Sequence, residues 1–275
     1  MGRGMADGSG VSYAMGSTGP ELERLIRQAH LFEAQSRSFL TRVGLDEGMR
    51  AADVGCGPLG VLDILREMTG SPGEVAGIDA STDMIALAER ILASQGIAGV
   101  RLGVADAAST GLPSGHFDVV HERLLLTNVT NHADVVGEMV RITRPGGIIA
   151  LHDVDAAAWF CEPPHPAWTR LAGAFTQIFA ARGDQHAGRK LPGLLRAAGM
   201  RDVQVQAFTE LWGPEDWYRE KLIIFVQITR EAITAAGILT DAEIDALITD
   251  LRAHLAQPGC VIFGGIHFQA WARKP

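Results

Sequence analysis

The chain has 275 residues, 47% of them hydrophobic, with a formal net charge of −8 and a pI near 5.6. That length and apolar share suit one sizeable core, a single domain with insertions, and the acidic balance, with no basic run interleaved with aromatics, excludes a global attraction to nucleic acid. Cys56, Cys161 and Cys260 are odd in number and form no C-x-x-C pair, which speaks against a disulfide framework or zinc knuckle and suits a reducing cytoplasm.

The first eighteen residues are Gly/Ser-rich and lack an apolar signal segment, and no run of about eighteen apolar residues follows, so no membrane span is expected. Residues 19–42 carry Leu22, Leu25, Ile26, Ala29, Phe32 and Phe39 at helical spacing after Pro20, which predicts one N-terminal helix. Short apolar runs then alternate with helical ones: strand 50–54, helix 59–69, strand 74–78, helix 82–94 with Ser81 as its N-cap, strand 100–104, strand 117–121, helix 133–143 and strand 147–153. Such βαβ alternation implies a parallel sheet with helices on both faces. Beyond it the pattern predicts helices at 167–182 and 188–198, a strand at 203–211, two helices at 214–236 and 241–256 that cover the cleft, and a last strand at 261–273. The layout is therefore a tail and helix (1–43), a cofactor-binding core (44–155), a remaining core strand with helical lid insertions (156–258) and a final strand (259–275).

The run Ala-Asp-Val-Gly-Cys-Gly-Pro-Leu-Gly ends the first strand. Gly55-x-Gly57-x-x-Gly60 matches the dinucleotide fingerprint, in which glycines allow a tight turn and close approach of phosphates. Acids close the first three strands, at Asp53, Asp79 and Asp106, 26 and 27 residues apart. In an open parallel sheet the ligand crevice lies beyond the carboxyl ends of the strands, so three acids there line one cleft. A dinucleotide gains little from three acids in a row. S-adenosylmethionine offers a ribose diol, an adenine amino group and an ammonium, all donors to carboxylates, and so fits the acid pattern better.

Together Asp53-Val-Gly-Cys-Gly57, Gly77-Ile-Asp79, Ala105-Asp106-Ala107, Phe117-Asp-Val-Val-His121 and Arg144-Pro-Gly-Gly147 resemble the class I S-adenosylmethionine-dependent methyltransferases. Within them the chain is most similar to the ubiquinone and menaquinone C-methyltransferases and to bacterial enzymes that methylate small natural products. The resemblance covers residues 45–155 well. It implies a Rossmann-like α/β sheet of seven strands, mostly parallel with the last antiparallel, and S-adenosyl-L-methionine as cofactor. It assigns Gly55 and Gly57 to close approach of the methionyl part above Asp53, Asp79 to the ribose hydroxyls, Met84 to the adenine ring, and Asp106 with the Ala107 backbone to the adenine edge. The His121-Glu122-Arg123 segment is placed beside the sulfonium, with Glu122 as a contact. The departure is Pro58-Leu59-Gly60, where the family usually has a third glycine two residues after the second. Tyr13, ahead of the first helix, is a further candidate to close over the cofactor.

All five tryptophans and seven of the ten phenylalanines lie after residue 155, which points to an apolar acceptor pocket under the lid. A phenol or amine acceptor would call for a base titrating near neutrality, whereas an alkene acceptor would form a cation that aromatic faces stabilise. Among His121, His152, Asp153, Asp155, His165 and His267, His152 and Asp155 are preferred as catalytic, because strand alternation and loop position turn both toward the cleft. No full carboxylate set for a magnesium ion is recognisable, so no metal is expected. The expected partner is a small, largely apolar acceptor from secondary metabolism or isoprenoid or quinone chemistry, with no nucleic acid and a possible homo-oligomer. The competing readings are a nicotinamide-dependent oxidoreductase using the three glycines and a non-catalytic protein of the same fold.

Overall fold

The computed structural model describes residues 19–275. Five strands run parallel in the first half: β1 (Arg50–Val54), β2 (Glu74–Asp79), β3 (Val100–Val104), β4 (Phe117–Arg123) and β5 (Thr143–Glu162). Two more strands, β6 (Arg201–Trp212) and β7 (Val261–Arg273), complete a seven-stranded sheet of order β3-β2-β1-β4-β5-β7-β6. Strand β7 enters between β5 and β6 and runs antiparallel to both. It is therefore the one reversed strand, as the family resemblance implies.

Buried strand residues such as Ala51, Ala52, Val54, Val75 and Ala76 are fully enclosed, because helices cover both faces. Helices α3 (Leu62–Thr69) and α4 (Thr82–Ser94) pack beside β1 to β3, and α5 (His132–Ile142) and α7 (Ala187–Ala197) pack beside β4, β5 and β7. The Ser81 hydroxyl accepts from the Met84 N–H at 3.3 Å, the expected cap for α4.

The N-terminal helix is interrupted. Helix α1 (Gly19–Leu31) and helix α2 (Glu33–Arg42) meet at Phe32, whose φ and ψ are −94° and 9°. The ladder persists across the break, with Phe32 N–H donating to Gln28 O at 3.1 Å and Ser36 N–H to Phe32 O at 2.9 Å. The bend lets both Phe32 and Phe39 bury completely, against His152 and, for Phe32, His267. Tertiary burial of two aromatics thus overrides a continuous helical pattern.

Strand β5 extends nine residues past the expected end at Asp153 and pairs with β7 to Glu162, with a register shift between Asp155 and Trp159. This paired arm rises beyond the sheet and carries the lid. Helices α6 (Pro166–Phe179), α8 (Lys221–Ile228), α9 (Arg230–Ala235) and α10 (Asp241–Leu255) pack on it around a second core that includes Trp168, Leu171, Phe175, Tyr218, Leu222 and Ile262. The helix expected over 214–236 is a 3-10 turn (Trp217–Glu220) followed by α8 and α9. Helix α10 starts on a full capping box between Thr240 and Glu243.

Candidate active site

The glycine loop leaves β1 over the Asp53 carboxylate. Asp53 is buried; its Oδ1 lies 2.8 Å from His121 Nδ1, and its Oδ2 accepts the Val61 N–H at 3.3 Å. Gly60 has φ +55°, and a Cβ there would collide with Asp53 Oδ2 and stand 2.6 Å from the Cys56 carbonyl oxygen. The irregular Pro58-Leu59-Gly60 stretch therefore has a packing cause: the third glycine is where the chain crosses Asp53. Gly57, also at positive φ, has no atom within 4 Å of its missing Cβ and lines the cleft, so a backbone surface is bared there to whatever the cleft holds.

Asp79 sits where the loop and the end of β2 meet. Its Oδ2 accepts the Gly57 N–H and its Oδ1 the Ser81 N–H, each at 2.9 Å. Burial raises the carboxyl above its ordinary range, against the lowering effect of those N–H groups. A carboxylate has about four acceptor positions, so Asp79 keeps acceptor capacity on both oxygens. It lines the main cleft together with Met84, and also an adjoining recess formed by Ala80, Ala105, Asp106 and Ala107. Asp106 Oδ1 accepts the Ala108 N–H at 2.7 Å, which fixes the turn after β3. Bared glycine backbone, spare carboxylate lone pairs and a buried thioether along one groove fit a cofactor carrying a ribose diol, an adenine and an amino-acid ammonium.

Three expected contacts fall elsewhere. Glu122 is fully buried and lies outside the cleft lining; it accepts the Leu125 N–H at 3.0 Å and the His152 N–H at 3.1 Å, and burial holds its carboxyl well above the usual range. Strand alternation presents its neighbour Arg123 instead, which lines the cleft and donates to Gly60 O and Ser36 Oγ, both at 2.7 Å. His152 is sealed beneath Phe32, Phe39 and Phe208, with its Nε2 3.3 Å from His267 Nδ1. Burial drives its pKa well below the ordinary histidine value, so it is neutral, and it does not reach the cleft. Asp155 points to the other side of β5 from the cleft-lining Val154 and Ala156. There it pairs with Arg189 and with His186 Nδ1, the latter at 2.9 Å. The preference for His152 and Asp155 as catalytic groups is corrected accordingly. Tyr13 lies outside the described residues. Among the described residues no group of three potential ligands is placed to hold a metal ion.

The far end of the same cleft is aromatic. Trp159 on the β5 arm, Phe175 and Phe179 on α6, and Phe225 on α8 form its walls, with Lys221, Gln185, Arg24 and Gln28 among the polar lining. The whole cleft encloses about 1240 Å³ of empty space, including solvent at its mouth. Arg24 pairs with Glu21 and donates to the Tyr218 hydroxyl at 3.1 Å, so α1 is tied to the lid. The sequence places Arg123 in the segment beside the sulfonium but singles out Glu122 as the contact, and it gives no sign of Arg24 or Lys221. For Arg123 the alternation of β4 was an available signal; for the other two, lid packing supplies the position.

Residues 45–188 match the family described as Methyltransferase domain. The demethylmenaquinone methyltransferase of Anoxybacillus flavithermus is 30% identical over 189 residues, 64% of this chain and 80% of that relative. Its counterpart from Geobacillus stearothermophilus is 28% identical over 186 residues, 63% of this chain and 80% of that one. By fold, the YcgJ protein of Bacillus subtilis superimposes with a TM-score of 0.60 at 16% identity, covering 88% of this chain and 98% of its own. Geranyl diphosphate methyltransferase, solved with S-adenosylmethionine, gives 0.53 at 19% identity over 96% of both chains. The chain belongs to the methyltransferase domain family, as a class I S-adenosylmethionine-dependent methyltransferase. Among the described residues no helix is long and apolar enough to cross a membrane.

Proposed function

We propose that this enzyme methylates a small, largely apolar acceptor of the quinone, isoprenoid or secondary-metabolite class, in the cytoplasm. The observation that carries the reading is one continuous cleft with Gly55, Gly57, Asp79 and Met84 at one end and Trp159, Phe175, Phe179 and Phe225 at the other. Two relatives support the acceptor class by what they act on: demethylmenaquinone and geranyl diphosphate.

When bound, the cofactor supplies an already activated methyl group on a sulfonium. The chain's own work is to bind, orient and exclude water. Gly55 and Gly57 offer backbone, Asp79 accepts from the ribose hydroxyls, Met84 packs on the adenine, and Asp106 with Ala107 borders the adenine edge. Asp53 acts indirectly, by holding His121 and the loop in place. Arg123 bridges the loop and α2 through Gly60 and Ser36, closing the side of the cleft nearest the strand ends.

Calorimetric titration with S-adenosylhomocysteine and with NADPH tests the cofactor half, and incubation with an isotope-labelled methyl donor and prenylated or unprenylated quinols tests the acceptor half. Binding of S-adenosylhomocysteine with label transferred to a quinol is expected. NADPH binding without response to S-adenosylhomocysteine would make the glycines a nicotinamide site, and cofactor binding without label transfer to any quinol would overturn the acceptor class.

A further inference from the structure

Lys221 is the first residue of α8, buried to all but 8% of its surface, and lines the aromatic end of the cleft. Its Nζ stands 5.3 Å from the ring centres of Trp159 and Tyr218, 5.5 Å from that of Phe225 and 5.6 Å from that of Trp212. Four rings partly compensate a buried cation. An ammonium also has three N–H donors, and among the described residues none of them meets an acceptor. The Trp159 ring that Nζ faces carries a buried indole Nε1 that likewise has no hydrogen-bond partner.

Unpaired donors at a buried site are costly, and their pairing by a bound group is correspondingly favourable. The charges around Lys221 do not supply that group. Arg24 on α1 repels it and is itself engaged by Glu21; Glu210 on β6 acts only through space, and burial pushes its carboxyl up to about 7. Burial brings the Lys221 amine down to about 8, so it is still mostly an ammonium at neutral pH.

We propose that Lys221 Nζ and Trp159 Nε1 together bind the ionised hydroxyl oxygen of the acceptor, which makes the acceptor a planar phenol, quinol or enol. The inference rests on the methyltransferase reading and narrows its acceptor class. One cation without an ion-pair partner suits one negative charge; among the described residues the other two cations of the cleft are engaged, Arg24 by Glu21 and Arg123 by Gly60 O and Ser36 Oγ, whereas a diphosphate would need several cations or a metal. The neighbouring rings suit a flat, apolar body of the acceptor. The hydroxyl proton goes to water before binding, and the bound oxyanion enriches electron density on its own oxygen and on the ring carbons conjugated with it, the atoms that accept a methyl group. Lys221 lies beyond the 45–188 segment that matches the family, so this selectivity belongs to the lid of this chain rather than to the shared core.

The test uses 4-nitrophenol, whose ionised form absorbs visible light, with nitrobenzene and 4-nitrobenzoate as comparators, on the whole protein and on Lys221→Met and Trp159→Phe. The unaltered protein is expected to raise the nitrophenolate absorbance at fixed pH. Lys221→Met should abolish that rise and weaken nitrophenol binding at least tenfold. Trp159→Phe, which keeps the ring and removes the N–H, should weaken it severalfold. Nitrobenzene binding should stay the same in all three. No nitrophenolate signal from the unaltered protein, an equal signal from Lys221→Met, or tighter binding of 4-nitrobenzoate than of nitrophenol would each overturn the proposal. S-adenosylhomocysteine titration of the same proteins separates the two levels: its binding, retained in both variants, shows that they fold, whereas its failure in the unaltered protein counts against the methyltransferase reading.

Discussion

The two ends of the cleft are built on different principles. At the end proposed for the cofactor the groups are short: glycine backbone and aspartates at or just beyond strand ends, each carboxylate clamped by one or two backbone N–H groups. At the acceptor end they are long side chains, Trp159, Phe175, Lys221 and Phe225, held on an arm and helices that rise past the sheet and pack around their own core. The first end is positioned by strand register, the second by side-chain packing. A fixed cofactor site beside a separately built acceptor wall lets the acceptor change while the methyl donor stays the same.

The largest effect is expected at the cofactor end, because register leaves no slack there. Gly60→Ala places a methyl against the Asp53 carboxylate and the Cys56 carbonyl in a backbone conformation that side chains resist. We expect a loss on the order of 3 kcal/mol, a fall in Tm of roughly 6–12 °C, readable by calorimetry. Gly57→Ala, with open space at its Cβ, should cost only about 1 kcal/mol of stability yet obstruct S-adenosylhomocysteine binding. If the two variants lose stability equally, the distinction between a packed glycine and a bared one fails.

Asp79→Ala comes next. Removing both acceptor oxygens should weaken S-adenosylhomocysteine binding by about 1–3 kcal/mol, between roughly fivefold and a hundred and fiftyfold, as measured by titration calorimetry. Unchanged affinity would reduce Asp79 to a brace for the Gly57 and Ser81 N–H groups.

Outside the cleft, under the bend between α1 and α2, packing takes the place of charge even for titratable residues, and pH exposes this. His267 is buried among Phe32, Phe208 and His152, and burial lowers its pKa to about 3. Above its ordinary value near 6.5 it is neutral in both folded and unfolded chains and does not affect stability. Below that value the unfolded chain takes up a proton that the folded protein refuses, so stability is lost as pH falls toward about 3. The loss is about 1.4 kcal/mol per pH unit, or about 2 kcal/mol by pH 5. His267→Phe also removes the partner of His152 Nε2, so it should fall about 1–3 kcal/mol below the unaltered protein at pH 7.5, and about 2 kcal/mol of that difference should be recovered at pH 5, as read by urea unfolding at the two pH values. Parallel pH profiles would mean that His267 is protonated within the fold.

The same division explains what was legible in the sequence. The alternation of strands and helices, the spacing of Asp53, Asp79 and Asp106, and the Ser81 cap are local or periodic signals, and the elements they define are where the pattern placed them. The Gly60 anomaly was visible as an irregularity, but its cause is a contact between the loop and Asp53 that no spacing encodes. Lys221 and Arg24 could not be recognised as cleft residues, because each reaches the cleft only through packing of helices distant in sequence. The bend at Phe32 and the extension of β5 have the same origin: burial against other elements outweighs the local pattern.

Asp155 marks the limit of reading side-chain direction from strand position, and it gives the smallest expected effect. Alternation along β5 fixes that Val154 and Ala156 share one face and Asp155 the other, but which face meets the cleft depends on register with β7 and on α7 behind it. Its carboxylate is held below its usual range by the side-chain hydrogen bond from Arg189, the Ala157 N–H and the His186 ring, which together outweigh desolvation. Arg189 and His186 are about half exposed, and water screens such pairs so that they contribute little. Asp155→Asn should therefore leave kcat for methyl transfer within about twofold and change stability only slightly. A loss of turnover by orders of magnitude, with S-adenosylhomocysteine affinity intact, would return Asp155 to the reacting end of the cleft and require β5 to face the acceptor with its other side.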